Sequence, residues 1–214
     1  MSHGKQFTLF THVKGPNGWK VAYILAELGL DFEPKYLDFD EQEQKGPEHM
    51  QYNPNGRIPT LIDHANNNFA IWESNAIILY LVEKYDTDHR ISVSDASEQF
   101  HQLQWLFFQA SGQGPYYGQA SWFTVYHPEK LPSAIERYKK EIIRVLRVLE
   151  SVLSKQEWLV GGKCTIADIS FVPWNTGVLN RLKEGNSDVS PERDLPGFWI
   201  WEQDMLQTRM GSRQ

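Results

Sequence analysis

The chain has 214 residues, of which 41% are hydrophobic and 22% are charged, with a formal net charge of −6. This length allows one large domain or two small ones, and no apolar run approaches the roughly 20 residues that a membrane helix needs. The negative charge disfavours nucleic acid and anionic membranes as partners. A single cysteine, Cys164, excludes an intrachain disulfide framework. The first residues lack the basic-then-apolar order of a signal peptide, so we expect a cytoplasmic protein.

The first part of the chain alternates strand and helix signals. The patterns predict strands at 7–11, 31–38, 59–63 and 69–72, helices at 19–30 and 73–85, a weakly helical stretch at 40–51 and a turn at 64–68. A helix between the first two strands favours a parallel pair with a right-handed crossover. Residues 1–86 are therefore predicted to form a small α/β domain, followed by a polar linker at about 87–94.

The second part of the chain is predicted to be all-helical, as a domain over residues 95–214. Apolar periodicity favours helices at 96–125, 134–153, 165–182 and 198–206, with an exposed loop at 183–194. Pro115 is expected to kink the first of these helices. The fold class is thus an α/β domain joined to an all-α domain.

Asn17 lies where the first strand should turn into the first helix, in the stretch KGPNGWK. One interpretation is an N-cap, because Asn accepts hydrogen bonds from first-turn amides. The other is a binding role, since a helix N-terminus stabilises an anion and an Asn amide can donate to it. A thiol held there would ionise more easily. Gly15 and Gly18 are expected to leave room for a ligand.

Two further short motifs have both a local and a functional interpretation. The Ile58–Pro59 bond is trans by default, but a cis bond would expose the Ile58 backbone for β-like pairing with a small peptide. Arg57 alone is interpreted as a surface charge. Glu73 and Ser74 could simply open a helix. Alternatively, Ser74 and the first-turn amides could bind a carboxylate while Glu73 pairs with an ammonium.

Thr165 and Asp168 are interpreted as structural, because Thr at the N-cap with Asp three residues later forms a variant of the capping box. Cys164 is expected to be a small buried side chain. The seven histidines show no zinc-like spacing, so no metal is predicted.

These motifs together resemble the glutathione transferases, whose fold is a thioredoxin-like domain followed by a helical one. The resemblance runs from about Phe7 to Met210. It is carried by the stretches NPNGRIPTLID (53–63), IWESNAIILYLVEKY (71–85) and WLVGGKCTIADISFVPW (158–174). Within the family, the chain is similar to the fungal branch that includes the yeast nitrogen-repression regulator, and to the bacterial nu-like transferases.

The resemblance implies roles for individual residues. Asn17 would face the glutathione thiol as the catalytic residue, and Ile58 before Pro59 would bind the cysteinyl backbone. Glu73 and Ser74 would hold the γ-glutamyl end. The remaining implied glutathione contacts are Gln44, Lys45 and Arg57. Because this helix start has no cysteine, the nucleophile must be the thiolate of glutathione itself.

The resemblance also implies a second, apolar substrate site and a homodimer. Tyr116, Trp122 and Phe123, in an aromatic stretch of the second domain, are candidates for the apolar site. The expected chemistry is conjugation to an electrophile, reduction of a peroxide or cleavage of a disulfide. Two non-catalytic alternatives stay open, a partner-binding regulatory protein and a protein that stores aromatic ligands.

Overall fold

The computed structural model describes residues 4–184 and 189–210. The chain divides into two compact units, the first ending at Ser92 and the second beginning at Val93. The first is a thioredoxin-like unit built on a mixed sheet, and the second is built from helices. The predicted fold class is confirmed.

The sheet of the first unit has four strands in the order β2-β1-β3-β4. The bounds of β1 to β4 are, in turn, Phe7–Thr11, Phe32–Tyr36, Thr60–Asp63 and Phe69–Trp72. Strand β1 pairs in parallel with β2, as predicted, and antiparallel with β3, which is in turn antiparallel to β4. Phe7, Leu9 and Leu61 are fully buried, which places the core of this unit against the central strands.

The helices of the first unit are α1 (Pro16–Glu27), α2 (Pro47–Met50) and α3 (Ser74–Tyr85). Helix α1 begins three residues before the predicted start at Trp19, because Pro16 is compatible with the first helical turn, where no amide donor is needed. The stretch predicted as weakly helical contains a 3₁₀ turn (Glu43–Lys45) and α2. The predicted turn at 64–68 contains a second 3₁₀ turn, His64–Asn66.

Asp63 ties α3 to the sheet. This fully buried residue ends β3, and its carboxylate accepts hydrogen bonds from the Tyr80 hydroxyl at 2.6 Å and the Lys84 ammonium at 3.2 Å. It also accepts from the hydroxyl of Tyr85. A buried carboxylate with several donors is stable only if those donors stay in place. The C-terminal half of α3 is therefore fixed relative to the end of β3.

Two glycines allow close approaches around the start of α1. A Cβ atom at Gly18 would lie 1.9 Å from Thr11 Oγ1, so this glycine lets α1 pack directly onto the end of β1. A Cβ atom at Gly15 would lie 2.5 Å from the Cδ1 atom of Ile58. Each glycine thus makes room for a neighbouring side chain of the protein, and the prediction that both leave room for a ligand stays a prediction.

The second unit consists of α-helices interrupted by wider π-helical turns. The α-helices are α4 (Ala96–Phe108), α5 (Gly114–Ser121), α6 (Pro132–Leu153), α7 (Ile166–Glu184), α8 (Pro191–Asp194) and α9 (Pro196–Asp204). The π-helical turns are Gln109–Gln113, Trp122–Tyr126 and Met205–Met210. Within the described ranges, no helix has the length and apolarity required to cross a membrane.

Two predicted features of this unit are corrected. The single helix predicted at 96–125 with a kink at Pro115 is a helical path with π-helical turns on both sides of α5. The predicted loop at 183–194 is partly helical, because residues 183–184 end α7 and α8 spans 191–194; residues 185–188 lie outside the described residues. The short α8 begins at Pro191, a residue favoured at the first position of a helix.

The capping interpretation of Thr165 and Asp168 is confirmed. Asp168 accepts from the backbone amide of Thr165 at 3.0 Å, and the Thr165 hydroxyl accepts from the amide of Ala167 at 3.2 Å. Asp168 also accepts from the Leu159 amide and the Trp201 indole. Burial is the main cause that raises the pKa of Asp168 to about 6, against the lowering effect of these donors.

A chain of buried amides runs through the second unit from the first π-helical turn to α9. Gln109 donates to Gln113 at 3.0 Å, Gln113 donates to Asn175 at 2.7 Å, and Asn175 donates to Glu202 at 2.9 Å. Burial raises the pKa of the fully buried Glu202 to about 8, and the bond from Asn175 only partly offsets this. Glu202 is therefore protonated in the folded chain near neutral pH.

The contact between Gly18 and Thr11 makes a prediction for stability. Replacing Gly18 with Ala introduces a methyl group against Thr11, so we expect the free energy of unfolding to fall by about 1–3 kcal/mol. Thr11→Ala removes the nearest atom. Adding Gly18→Ala to Thr11→Ala should therefore reduce the free energy of unfolding by less than Gly18→Ala does in the wild type. Urea unfolding of the four proteins checks this. Equal losses from Gly18→Ala in both backgrounds would show that Thr11 is not the obstacle.

Glu202 makes a prediction for pH dependence. Its pKa is higher in the folded chain, so the folded state holds a proton that the unfolded state releases between about pH 4.5 and pH 8. The contribution of Glu202 to stability is therefore lost as the pH rises through this window. Glu202→Gln cannot ionise, and its melting temperature relative to wild type should rise between about pH 6 and about pH 8.5. A difference that stays constant with pH would mean that Glu202 is ionised in both states.

Candidate functional site

One cleft of the first unit brings together six of the residues predicted from the sequence. It has a volume of about 250 Å³ and its lining consists of Asn17, Asn53, Asn55, Arg57, Ile58, Pro59, Glu73 and Ser74. The lining residues come from three places: the start of α1, the loop before β3, which includes Asn53 and Asn55, and the start of α3. The cleft is therefore built from two helix N-termini and one loop.

Asn17 is the second residue of α1, after Gly15 at the N-cap and Pro16 at the first position. Asn17 is therefore not the N-cap residue. The first turn of α1 contains no acidic side chain that would offset the positive end of the helix dipole. The half-buried carboxamide of Asn17 thus lies beside a site that favours a negative charge.

The loop that carries Ile58 and Pro59 is fixed by buried Asn53. Its side-chain amide donates to the Arg57 carbonyl at 2.7 Å and to the Thr60 hydroxyl at 3.0 Å, and its oxygen accepts from the Asn55 amide at 3.0 Å. The Ile58–Pro59 peptide bond is cis. Arg57 is exposed, as expected for a surface charge, but it also lines the cleft.

Gln44 and Lys45 are not among the residues that line this cleft, although both lie next to the same loop. The Lys45 ammonium donates to the Asn55 carbonyl at 2.9 Å. The Gln44 carbonyl lies 2.9 Å from Nδ1 of buried His49, whose other ring nitrogen lies 2.9 Å from the Thr60 hydroxyl. Because a carbonyl can only accept, Nδ1 carries the proton in this arrangement. The 3₁₀ turn that contains Gln44 is thereby tied to β3.

Glu73 and Ser74 lie at the N-terminus of α3 in different environments. Glu73 is the N-cap residue, exposed, with φ of 70° and ψ of 111°, a backbone conformation that non-glycine residues rarely adopt. Such strained residues cluster at functional sites. The side chain of Glu73 makes no capping hydrogen bond, so its carboxylate is not used to complete the helix. Ser74, the first residue of α3, is buried.

Lys20 lies directly behind Ser74. This lysine of α1 is only 1% exposed, and its ammonium nitrogen lies 2.9 Å from the Ser74 hydroxyl oxygen. Burial lowers the pKa of Lys20 to about 7, and the nearby carboxylate of Glu73 partly offsets this effect. A cation that is largely desolvated and bonded to a cleft residue is uncommon unless its charge is used.

The three candidates for an apolar substrate site belong to the second unit. Phe123 stacks on Tyr138 of α6 with ring centroids 5.6 Å apart, and half-buried Tyr116 lies 6.4 Å from the same ring. Trp122 is exposed and contacts Tyr126 and His127. These three side chains do not line the cleft of the first unit.

The described residues contain neither a candidate metal-binding cluster nor an exposed cysteine. Over residues 4–184 and 189–210, no group of three or more His, Cys, Asp and Glu side chains could hold a metal ion. Cys164 is buried, as predicted, and its sulfur lies 3.6 Å from the sulfur of Met205.

Sequence reasoning missed Lys20, Asn53 and Asn55. Lys20 directly precedes the buried stripe of Val21, Ile24 and Leu25. This position was a usable signal that the lysine faces the core and not the solvent. Asn53 and Asn55 belong to an Asn-Pro-Asn-Gly turn, in which Asn side chains bond to the backbone two residues on. Neither signal indicates which distant residue each side chain meets.

Sequence comparisons agree with this architecture. Residues 5–83 match the family described as "Glutathione S-transferase, N-terminal domain", and residues 115–205 match "Glutathione S-transferase, C-terminal domain". Glutathione S-transferase 1 of Schizosaccharomyces pombe is 49% identical over 209 residues, covering 94% of this chain and 91% of the relative. Protein URE2 of Debaryomyces hansenii is 40% identical over 235 residues, covering 94% of this chain and 74% of the relative.

A solved structure extends the similarity to three dimensions. The crystal structure of the glutathione transferase URE2P6 from Phanerochaete chrysosporium, in complex with oxidized glutathione, is 59% identical with a TM-score of 0.94. The alignment covers 99% of this chain and 96% of that one. The resemblance noted from the sequence is confirmed, and the chain belongs to the glutathione S-transferase family.

Proposed function

We propose that the chain is a glutathione-dependent transferase whose cleft binds glutathione and ionises its thiol beside Asn17. The observation that supports this most directly is the meeting of Asn17, Ile58 and Ser74 in one cleft at two helix N-termini. A similar structure at 59% identity was solved with oxidized glutathione. Both the local chemistry and the relative thus favour the same ligand.

The start of α1 can stabilise a thiolate without a protein nucleophile. An ordinary thiol has a pKa near 8.5, and lowering it by about two units requires roughly 2.7 kcal/mol. A helix N-terminus contributes up to about 2 kcal/mol, and a hydrogen bond from a carboxamide to an anion contributes about 1.5–3 kcal/mol. Asn17 and the first turn of α1 together are sufficient for this shift.

The rest of the cleft offers complementary groups for the other parts of the tripeptide. Glu73 supplies a carboxylate for the γ-glutamyl ammonium, and Ser74 at the start of α3 supplies a donor for the adjacent carboxylate. Ile58 would pair its backbone with the cysteinyl residue. Gln44 and Lys45, on the neighbouring turn, and exposed Arg57 would reach the glycyl carboxylate.

The bound thiolate would carry out one of three balanced reactions after its proton leaves to solvent. It displaces a leaving group from an electrophilic carbon and forms a thioether. Alternatively, it attacks a hydroperoxide, which yields an alcohol and a sulfenic acid that a second glutathione converts to disulfide and water. In the third reaction it attacks a mixed disulfide and releases the other thiolate. The protein contributes position and electrostatic stabilisation in each case.

A non-catalytic regulatory role is the second candidate, and the 40% identity to the nitrogen regulation fragment of the yeast prion protein URE2P, with a TM-score of 0.89, favours it. The two candidates are separated by steady-state assays with glutathione and a chlorinated arene, a hydroperoxide or a mixed disulfide. Turnover of any of these supports the enzyme. Tight glutathione binding without turnover supports the regulator.

We further propose that the chain forms a homodimer. Phe100 and Phe107 on α4 are 71% and 70% exposed, and their spacing of seven residues places them on one face of the helix. Exposed large apolar side chains on one face are typical of an interface. The family resemblance favours a second copy of the chain as the partner.

Asn17→Ala tests the catalytic proposal. Loss of a donor to the thiolate should reduce turnover about 10- to 100-fold and raise the pKa of bound glutathione, which ultraviolet titration of the complex measures. The melting temperature should change little, because Gly15 and not Asn17 is the N-cap of α1.

Glu73→Gln serves as the matched variant at the other end of the cleft. It should weaken glutathione affinity while leaving the pKa of the bound thiol near its wild-type value, because Glu73 contacts the head group in this proposal. Should Asn17→Ala lower the melting temperature and keep full activity, Asn17 would be a structural residue only.

Replacing Phe100 and Phe107 together with Asp tests the dimer. The double variant should sediment as a monomer at micromolar concentration where the wild type is a dimer, because charged groups oppose burial. Ile200→Asp is the control, since Ile200 is 69% exposed on α9 and outside the proposed interface. A monomeric wild type, or a double variant that still dimerises, would overturn the proposal.

A further inference from the structure

The buried ammonium of Lys20 contacts the cleft-lining residue Ser74 at its hydroxyl. Lys20 is 1% exposed and Ser74 is 7% exposed, and the nitrogen–oxygen distance is 2.9 Å. Ser74 lines the cleft, whereas Lys20 is not among the lining residues. Lys20 can therefore act on a ligand through Ser74 and through the electric field of its charge.

The direction of this hydrogen bond determines what Ser74 can offer to a ligand. A protonated lysine has three donors and no acceptor, so it must donate to the Ser74 oxygen and leaves the hydroxyl proton of Ser74 free to point elsewhere. A neutral lysine amine could instead accept that proton. Only the charged lysine therefore makes Ser74 a reliable donor toward an anion in the cleft.

We propose that Lys20 is a positioning residue that holds Ser74 as a donor for the γ-glutamyl carboxylate, so that ligand binding draws a proton onto Lys20. This inference rests on the proposed function, because it takes glutathione as the ligand. It deepens that function by assigning the recognition of one carboxylate to a buried cation that lies behind the cleft wall.

The charges around Lys20 agree with such coupling. The carboxylate of Glu73, directly before α3, raises the pKa of Lys20 by its charge. Strand β1 also packs against α1, and it carries no charged side chain. Glu27 lies two turns further along α1, and Glu83 and Lys84 lie at the far end of α3.

In the free protein, burial lowers the pKa of Lys20 to about 7, so the amine is partly neutral near physiological pH. A ligand carboxylate bonded to Ser74 adds a second negative charge close to the ammonium and raises the pKa of Lys20. Binding then consumes a proton, and affinity falls as the pH rises above about 7.

Calorimetry with S-methylglutathione tests the coupling, because this ligand has no thiol proton to release. Binding enthalpies measured at about pH 7.5 in Tris and in HEPES should differ by an amount that corresponds to uptake of most of one proton. The apparent Kd should rise roughly five- to tenfold between about pH 6.5 and about pH 8.

Lys20→Met is the matched variant, because it keeps an unbranched side chain and removes the charge. It should fold, because methionine fills a similar volume and removes the cost of burying an ammonium group. We expect its Kd to change less than about twofold over the same pH range, with proton uptake close to zero. The ammonium of the ligand contributes equally to both proteins, so the difference between them isolates Lys20.

The outcomes separate this inference from the proposed function. Wild-type binding without proton uptake, or equal uptake by Lys20→Met, would overturn the role of Lys20 and leave glutathione binding intact. No binding of S-methylglutathione or glutathione to the wild type at any pH would overturn both. If Lys20→Met does not fold, absence of proton uptake by the wild type still overturns the inference, because the two-buffer comparison needs no variant.

Discussion

The candidate site depends on one electrostatic constraint, the convergence of positive potential from three sources on a small cleft. The N-termini of α1 and α3 both supply residues to the cleft, and the ammonium of Lys20 lies behind its wall. The first turns of both helices lack acidic side chains. Such a cleft favours a ligand with separate negative groups, and Glu73 provides the matching position for a single cation.

This convergence requires that the supporting elements approach each other closely. Gly18 brings α1 against the end of β1, and Gly15 lets the start of the same helix meet Ile58. Asp63 fixes the other end of α3 by accepting bonds from Tyr80, Tyr85 and Lys84. The positions of α1 and α3 at the cleft are therefore set by close packing and by hydrogen bonds to the sheet.

Local signals in the sequence were sufficient for most elements of the fold. The parallel pairing of β1 and β2, the start of α3 beside Glu73 and the capping pair of Thr165 and Asp168 follow from periodicity and short-range chemistry. The family motifs indicated six of the cleft residues in advance.

The features that sequence reasoning missed depend on contacts between distant residues. Buried Lys20 bonds to Ser74, which is 54 positions away. The amide chain from Gln113 to Asn175 joins residues 62 positions apart. In the π-helical turns of the second unit each hydrogen bond spans five residues instead of four, and apolar periodicity does not distinguish the two.

The contact between Gly15 and Ile58 links two loops that are far apart in sequence. A side chain in place of Gly15 would need the space that the Ile58 terminal methyl group fills. A larger residue at position 15 therefore requires that Ile58, before the cis-proline, changes its side-chain rotamer or is replaced by a shorter residue. Positions 15 and 58 should consequently covary among homologues, with a larger residue at one accompanied by a smaller residue at the other.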